Sequence, residues 1–476
     1  MGPVDQLNLE HRRALDRANA SVAAFAARAA ADPSRPIYHV ASAAHWINDP
    51  NGPVHHQGEY HLFFQHNPFA SEWGNMCWGH AVSEDLVHWR HLPIALAPGP
   101  GGYDKDGIFS GCCVIQGGLP TILYTGVFPE CQCIATSEDR LRSWIKHPGN
   151  PVISSRPRSD LQGFRDPFCW RGGETWYMAL GSGIGKRGGC VLLYASADLR
   201  EWAYLGPLFE GTAEMMECPN FFPLGESWLL CVSPYAQVVY AMGELAGHRF
   251  RPRTEWLPID LGGRADFYAP NSMLDPQGRR ILWGWVEAGP AGACWRGVLT
   301  LPRALSLRAD GRLGIEPLPE LAGLRGRHQR WESIPLGQDA PVAVTALPSE
   351  TVEIRAELEL GSARELALTL GRSSRRPEEI AVAYDHQAGR LSCAGRSGRF
   401  RVLPGEDGLQ LRIFLDRSVV EVYANGRAAL TASGDWLGLG EGGLRREGGC
   451  AVTLLARGGR ALASAVDLWE MGSIWG

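Results

Sequence analysis

Three short segments repeat one arrangement: AVSEDLVHW ends at Trp89, ATSEDRLRSW at Trp144 and YASADLREW at Trp202. Each follows a strand-like run and gives a serine, a turn-forming acid, then a tryptophan that opens the next run. The spacing is a little longer than the roughly 40–50 residues of common β-propeller blades. Other apolar runs with period two are EYHLFFQH (59–66), TILYTGVF (121–128), SWLLCVSP (227–234) and RILWGWVE (280–287). Repetition across 38–330 allows about five such units, and closing them into a ring removes the exposed edges that so much sheet would otherwise present. An irregular β-sandwich with coincidental turns is the alternative, and three copies of so specific a pattern argue against it.

The flanks differ from this middle. Residues 7–31 are rich in alanine, leucine and arginine, with apolar positions at helical spacing, and Pro33 and Pro36 stop the helix they predict. It is expected to brace the main domain, with binding of a partner as the alternative. Residues 318–337 have no clear period and are taken as a connector. Beyond them TVEIRAELEL (351–360), LRIFLD (411–416) and VVEVYANG (419–426) alternate, the last ending in the hairpin signal Asn425-Gly426. The expected organisation is an N-terminal helical extension (1–36), a five-bladed β-propeller (37–325), a linker (326–339) and a C-terminal β-sandwich (340–476), an all-β chain apart from the first helix.

The 46 basic and 51 acidic residues give a formal charge of −5 without long blocks of one sign, so no nucleic acid or anionic membrane is expected as a partner. A neutral substrate is easily accommodated. The abundant glycine (58) suits tight turns, and the abundant tryptophan (17) suits stacking on sugar faces as well as core filling. No run of signal-peptide or membrane-span length occurs, and a cytoplasmic location is expected. Twelve cysteines are scattered through strand-like segments and are expected to be buried free thiols. Cys131 and Cys133 have no second matched pair to make a zinc site, so no metal and no cofactor is expected.

Three acids stand in dense aromatic or cysteine-flanked contexts: Asp49 in HWINDPNG, Asp166 in GFRDPFCW and Glu217 in MMECPNFF. Each begins a strand-like run and is followed within two residues by proline. In a propeller, first strands present their ends around one axis, so these residues converge. Two carboxylates at a suitable separation are what a glycosidase needs. The bland alternatives are that Asp49 starts a DPNG turn, that Asp166 pairs with Arg165, and that Glu217 lies at a strand edge. Spacing alone does not choose two catalytic groups from the three.

The residues around the acids resemble the invertase and fructanase family of glycoside hydrolases, family 32. WINDPNG (46–52) is similar to that family's WMNDPNG box, FRDPF (164–168) to its arginine-aspartate-proline box and ECPNFF (217–222) to its glutamate-cysteine box. FFQHNP (63–68), WGNMCWGHAVSEDLVHW (73–89), FSG (109–111), YAPNSMLD (268–275), RRILWGWV (279–286), WRGVLTLPRALSL (295–307) and LRIFLDRSVVEVYANGRAAL (411–430) extend the likeness. The resemblance implies a five-bladed propeller with a C-terminal sandwich and a retaining enzyme that removes terminal β-D-fructofuranosyl units from sucrose or fructans. It implies Asp49 as nucleophile, Glu217 as acid/base and Asp166 as transition-state stabiliser. Donors from the turn would keep Asp49 ionised, and its charge would help Glu217 hold a proton. It further implies sugar contacts at Asn48, Gln65, Trp73, Ser110, Arg165 and Trp295, with Asp266 and Tyr268 as pocket or rim positions. Cys112, Cys113 and Cys77 depart from the pattern, Cys77 near positions expected to shape the leaving-group side. A fructosyltransferase using the same intermediate is the first alternative, and a non-catalytic carbohydrate-binding protein the second. The sandwich is expected to support the propeller, with a cleft rim or a homodimer contact as further roles.

Overall fold

The computed structural model describes residues 3–99, 101–372, 380–434 and 450–475. From His45 to Pro317 the chain builds five sheets in succession, each growing outward by antiparallel pairing from its first strand. The first strands are His45–His56, Gly107–Gln116, Gln162–Gly172, Glu217–Leu224 and Tyr268–Leu274. They touch in chain order, and the fifth returns to the first, so the sheets are the blades of a five-bladed propeller. Closure is reinforced where Trp295–Arg296, from blade five, pairs in parallel with His45 and Trp46.

The repeated segment is the turn between the third and fourth strands of blades one to three. Asp85 Oδ1 accepts from the amides of Val87 (2.9 Å) and His88 (2.7 Å), and Asp198 Oδ1 from those of Arg200 (2.9 Å) and Glu201 (3.0 Å). Asp139 plays the same part for the Ser143 amide at 2.9 Å. A buried leucine follows in the left-handed region each time: Leu86 (φ 67), Leu141 (φ 61) and Leu199 (φ 65). That backbone costs energy for a branched residue, and the aspartate bonds together with leucine burial offset it.

The helix Pro3–Ala30 lies on the outer strand of blade one, Trp89–Leu96. Ala14 and Ala18 pack with Cys77, Ile94 and Ala97, Asn19 Oδ1 accepts from the Ile94 amide (3.0 Å), and buried His11 Nε2 accepts from the Ala97 amide (3.2 Å). It is a brace that covers an edge strand. Cys77 is therefore buried beneath the helix.

The expected turn at DPNG is absent: His45–His56 is one strand, with register shifts between Ile47 and Pro50 and between Asn51 and Val54. Proline, without an amide hydrogen, and glycine at positive φ serve bulges as well as turns. Gly52 (φ 42) has a second reason to be glycine, since a Cβ there would lie 2.8 Å from the Cys113 nitrogen.

The C-terminal domain is a sandwich of two six-stranded antiparallel sheets. One contains Thr351–Glu359, Leu409–Asp416, Val419–Ala424 and Ala428–Ser433, the other Glu365–Arg372, Ile380–Asp385 and Cys450–Arg457, and their inner faces share one apolar core. The segment read as a linker holds a strand instead: Arg325–Leu336 pairs with Ala461–Met471 at a sheet edge. Most of its residues are exposed, so no apolar alternation marks it. Eleven described cysteines are free thiols, all buried except the half-buried Cys294; the side chain of Cys450 lies outside the described residues. No described helix is long and apolar enough to cross a membrane.

Candidate active site

Each first strand breaks its ladder near the propeller axis. The shifts fall between Ile47 and Pro50, at Ser110, opposite the Ala179–Gly181 step at Asp166-Pro167, between Glu217 and Asn220, and between Tyr268 and Asn271. A bulge leaves a residue unpaired and re-aims its side chain. Here it turns Asp49, Ser110, Asp166 and Glu217 towards one funnel of about 350 Å³. Asn48, Gln65, Trp73, Arg165 and Tyr268 also line it, as does a set the sequence did not single out: Trp46, Phe109, Arg264 and Trp285.

The three acids form one cluster. Asp49 Oδ2 accepts from Ser110 Oγ (2.5 Å) and Oδ1 from Asn48 Nδ2 (2.9 Å), while Asn48 Oδ1 accepts from Trp46 Nε1 (2.7 Å). Asp166, at φ 64, accepts from the Cys218 amide at 3.0 Å. The Cys218 thiol stands 3.5 Å from Oδ2 of both aspartates, one residue from Glu217. Glu217 Oε1 accepts from Arg165 Nε (3.0 Å) and Nη2 (2.8 Å), and Oε2 from the Tyr268 hydroxyl (2.8 Å).

Electrostatics oppose charge on both aspartates. Burial raises the Asp49 carboxyl above the ordinary range, the Ser110 and Asn48 bonds pull it back, and the charge of Glu217 adds to the rise. The donors are thus side chains rather than turn amides, and they do not overcome burial, contrary to the expectation of a carboxylate simply held ionised. Asp166 is pushed up to about 7 by burial, against the pull of Arg165, with the charges of Glu217 and Asp49 adding to it.

Arg165 is divided between two acids. Besides Glu217 it donates from Nη1 to Glu130 Oε1 (2.6 Å) and from Nη2 to the Tyr235 hydroxyl (2.6 Å). Glu130 also accepts from the Phe164 amide at 2.6 Å, so it fixes the strand entering the Arg165-Asp166 bulge. Nothing in FPECQC signals this, because the contact depends on which loop of blade two faces blade three. At the funnel mouth Trp73 is 60% exposed, with Phe109 6.1 Å away between ring centroids.

Two expected pocket residues lie elsewhere. Asp266 is buried against the sandwich, accepting from Arg396 Nε (2.5 Å) and from the Ser433 amide (3.1 Å). Trp295 is fully enclosed beside the ring closure, where its backbone pairs with His45. The aromatic wall near the pocket comes instead from Trp285, 5.5 Å from Trp46 between ring centroids. A larger cleft of about 590 Å³, between the end of the helix and loop 287–294, has its acids otherwise engaged: Asp32 accepts from Ser34 and Glu287 pairs with Arg296.

Carboxylates gathered at the foot of a funnel with aromatic walls are the equipment for breaking a glycosidic bond, and the molecule is a glycosidase by class. Residues 39–317 match the model described as glycosyl hydrolases family 32 N-terminal domain, and residues 320–433 match the family 32 C terminal. A sucrose-6-phosphate hydrolase of Escherichia coli is 35% identical over 84% of this chain and 88% of its own length. A raffinose invertase of the same species is 36% identical over 83% and 88%. Among solved structures, a GH32 beta-fructofuranosidase of Bombyx mori superposes with a TM-score of 0.80 at 28% identity, covering 97% of this chain and 99% of the other. The chain belongs to glycoside hydrolase family 32.

Proposed function

We propose that the enzyme hydrolyses terminal β-D-fructofuranosides such as sucrose or fructo-oligosaccharides by double displacement, with Asp49 as nucleophile, Glu217 as acid/base and Asp166 as stabiliser. The observation that carries the assignment is the joining of the three acids through one residue: Cys218 touches both aspartates and adjoins Glu217. Asp49 attacks the anomeric C2 while Glu217 protonates the departing oxygen. The carboxylate that Glu217 then becomes is bonded on one oxygen by Arg165 and on the other by Tyr268. Glu217 next takes a proton from water, which attacks C2 and releases Asp49. Asp166 accepts from fructose hydroxyls, a bond that strengthens as positive charge grows on the ring.

The test is a panel of sucrose, short inulin-type and levan-type oligosaccharides and long fructans, with products identified. Equal free fructose and leaving sugar is the expected result, whereas new oligosaccharides at high substrate concentration would mark a transferase. Glu217→Gln is expected to lose about 10²–10⁴ in kcat on sucrose and much less on a fructoside with an activated leaving group. Asp49→Asn is expected to lose activity on both; near-normal rates on both would sink the assignment. A cytoplasmic location belongs to the same proposal, supported by the free thiols, and cell fractionation that found the enzyme secreted would refute it.

A further inference from the structure

We propose that Glu130 is a positioning residue of the reaction: it fixes the Arg165 guanidinium, so that the proton delivered by Glu217 sits on one carboxyl oxygen and not the other. The inference rests on the reading of Glu217 as acid/base and adds a residue that acts on it from outside the funnel lining.

Arg165 uses all three of its nitrogens. Nε (3.0 Å) and Nη2 (2.8 Å) donate to the same atom, Glu217 Oε1, and Nη2 also donates to the Tyr235 hydroxyl (2.6 Å). Nη1 has one partner among the described residues, Glu130 Oε1 at 2.6 Å. Two N–H donors aimed at Oε1 exclude a proton from that oxygen, so the acid form of Glu217 carries its proton on Oε2. The Tyr268 hydroxyl, 2.8 Å from Oε2, has a second acceptor to turn to, the Ser233 carbonyl at 3.3 Å. Its hydrogen leaves Oε2 while that oxygen is protonated and returns once the proton has passed to the departing sugar. This order holds only while the guanidinium keeps its place, and Glu130 ties the end of it that faces away from Glu217.

A carboxylate suits this position in a way that an amide does not. One oxygen of Glu130 accepts from Arg165 Nη1 and the other from the Phe164 amide at 2.6 Å, so both must be acceptors. A glutamine offers one acceptor and turns its own N–H groups towards the second donor. With side chains only 16% and 14% exposed, Glu130 and Arg165 form a charge-assisted pair that bulk water screens little. Support of the backbone alone is the competing role, since Phe164 leads into the Arg165-Asp166 bulge. That backbone has two further holds from blade two. Gln132 Nε2 donates to the Phe164 carbonyl (2.7 Å), and Thr125 Oγ1 accepts from the Asp166 amide (3.1 Å) while donating to Gln132 Oε1 (2.9 Å). Loss of Glu130 therefore leaves Asp166 held and releases the guanidinium.

The test compares kcat/KM, which reports the departure of the leaving group, on sucrose and on a fructoside whose leaving group departs without a proton. Glu130→Ala and Glu130→Gln are measured with Glu217→Gln beside them. Both Glu130 variants should lose about tenfold to hundredfold on sucrose, the cost of an acid misplaced by about 1 Å, and stay close to wild type on the activated fructoside. In an Arg165→Lys background Glu130→Gln should add little to the loss, because the two residues act as a unit. Equal losses on the two substrates, while Glu217→Gln discriminates between them, would overturn the proposal and leave the acid/base reading intact. If Glu217→Gln does not discriminate either, that reading falls and the proposal with it. Fully additive losses in the double variant would show that Glu130 does not act through Arg165. Glu130 variants that fail to fold, judged by circular dichroism and thermal melting, would assign the residue to the fold alone and refute the proposal as well.

Discussion

Asp166 illustrates how much the active site asks of single residues. Its backbone is left-handed, its carboxyl is buried, and Arg165 with the Cys218 amide and thiol favour its charge without overcoming that burial. With its proton affinity raised to about 7, the folded protein holds a proton there that the unfolded chain releases near pH 4. The stability tied to that group is full below about pH 4 and is lost as pH rises through 7. Asp166→Asn should therefore be more stable than wild type at pH 8, by on the order of 1–3 kcal/mol, with the gain vanishing towards pH 4. Its kcat should fall by about 10²–10³. An equal gain at both pH values in thermal melts would show that burial of the charge is not the cause. At this scale the sequence was legible where chemistry sits on an unusual box: Asp49, Asp166, Glu217, Asn48 and Ser110 all face the funnel. It misled at Asp266 and Trp295, because likeness to a motif identifies a residue type and not the side of the backbone on which its Cβ falls. Glu130 carried no local signal, since its bonds to Arg165 and the Phe164 amide depend on a neighbouring blade.

At the scale of elements, the recurring proline after each acid proves to mark a bulge. In blades four and five an asparagine follows the proline and has its own function. Asn220 Nδ2 donates to the Pro270 carbonyl (2.7 Å) and its Oδ1 accepts from Ser272 Oγ (2.8 Å), lacing blade four to blade five. Asn271 Nδ2 donates to the Gly111 carbonyl (2.9 Å), reaching blade two. The Pro-Asn pairs of CPNF and APNS thus bend one strand and stitch it to another. Asn220→Ala leaves a buried carbonyl and hydroxyl without partners and should cost about 1–3 kcal/mol in denaturant unfolding. No loss of stability would mean that water or a repacked chain replaces those bonds. The tryptophan-ended repeat was readable because the aspartate turn needs the same few residues each time. The strand Arg325–Leu336 was not, because an exposed edge strand shows no buried face to its own sequence.

Across the whole molecule, propeller and sandwich are joined by buried ions. Arg303 meets Asp260 (2.7 Å), Glu421 (2.7 Å), Thr431 (2.7 Å) and the Tyr423 hydroxyl (3.1 Å). His39 lies between Asp416 (2.8 Å) and Glu421 (3.1 Å). Burial alone would lower the His39 proton affinity, but bonds to the two acids outweigh it and hold it at about 9. The stability that protonated His39 lends is present in full below about pH 6.5 and is lost as pH rises through 9. Wild type should lose stability between these values, and His39→Gln should flatten that part of the profile in chemical denaturation. A slope unchanged in the variant would place the titration elsewhere. Arg303→Met strands two buried carboxylates and should cost about 3–5 kcal/mol.

Blade one is also where the distant parts of the chain meet. Its first strand is paired by Trp295–Arg296, its outer strand is covered by the initial helix, and the Trp89 amide donates to the Ile474 carbonyl at 2.8 Å. During synthesis on a ribosome, the blade bearing Asp49 is the first to emerge and among the last to be finished. A nascent chain can carry Asp49, Asp166 and Glu217 and still lack the segments that close the ring around them. The gathering of the three acids around one axis therefore waits on segments that lie far beyond them in the chain.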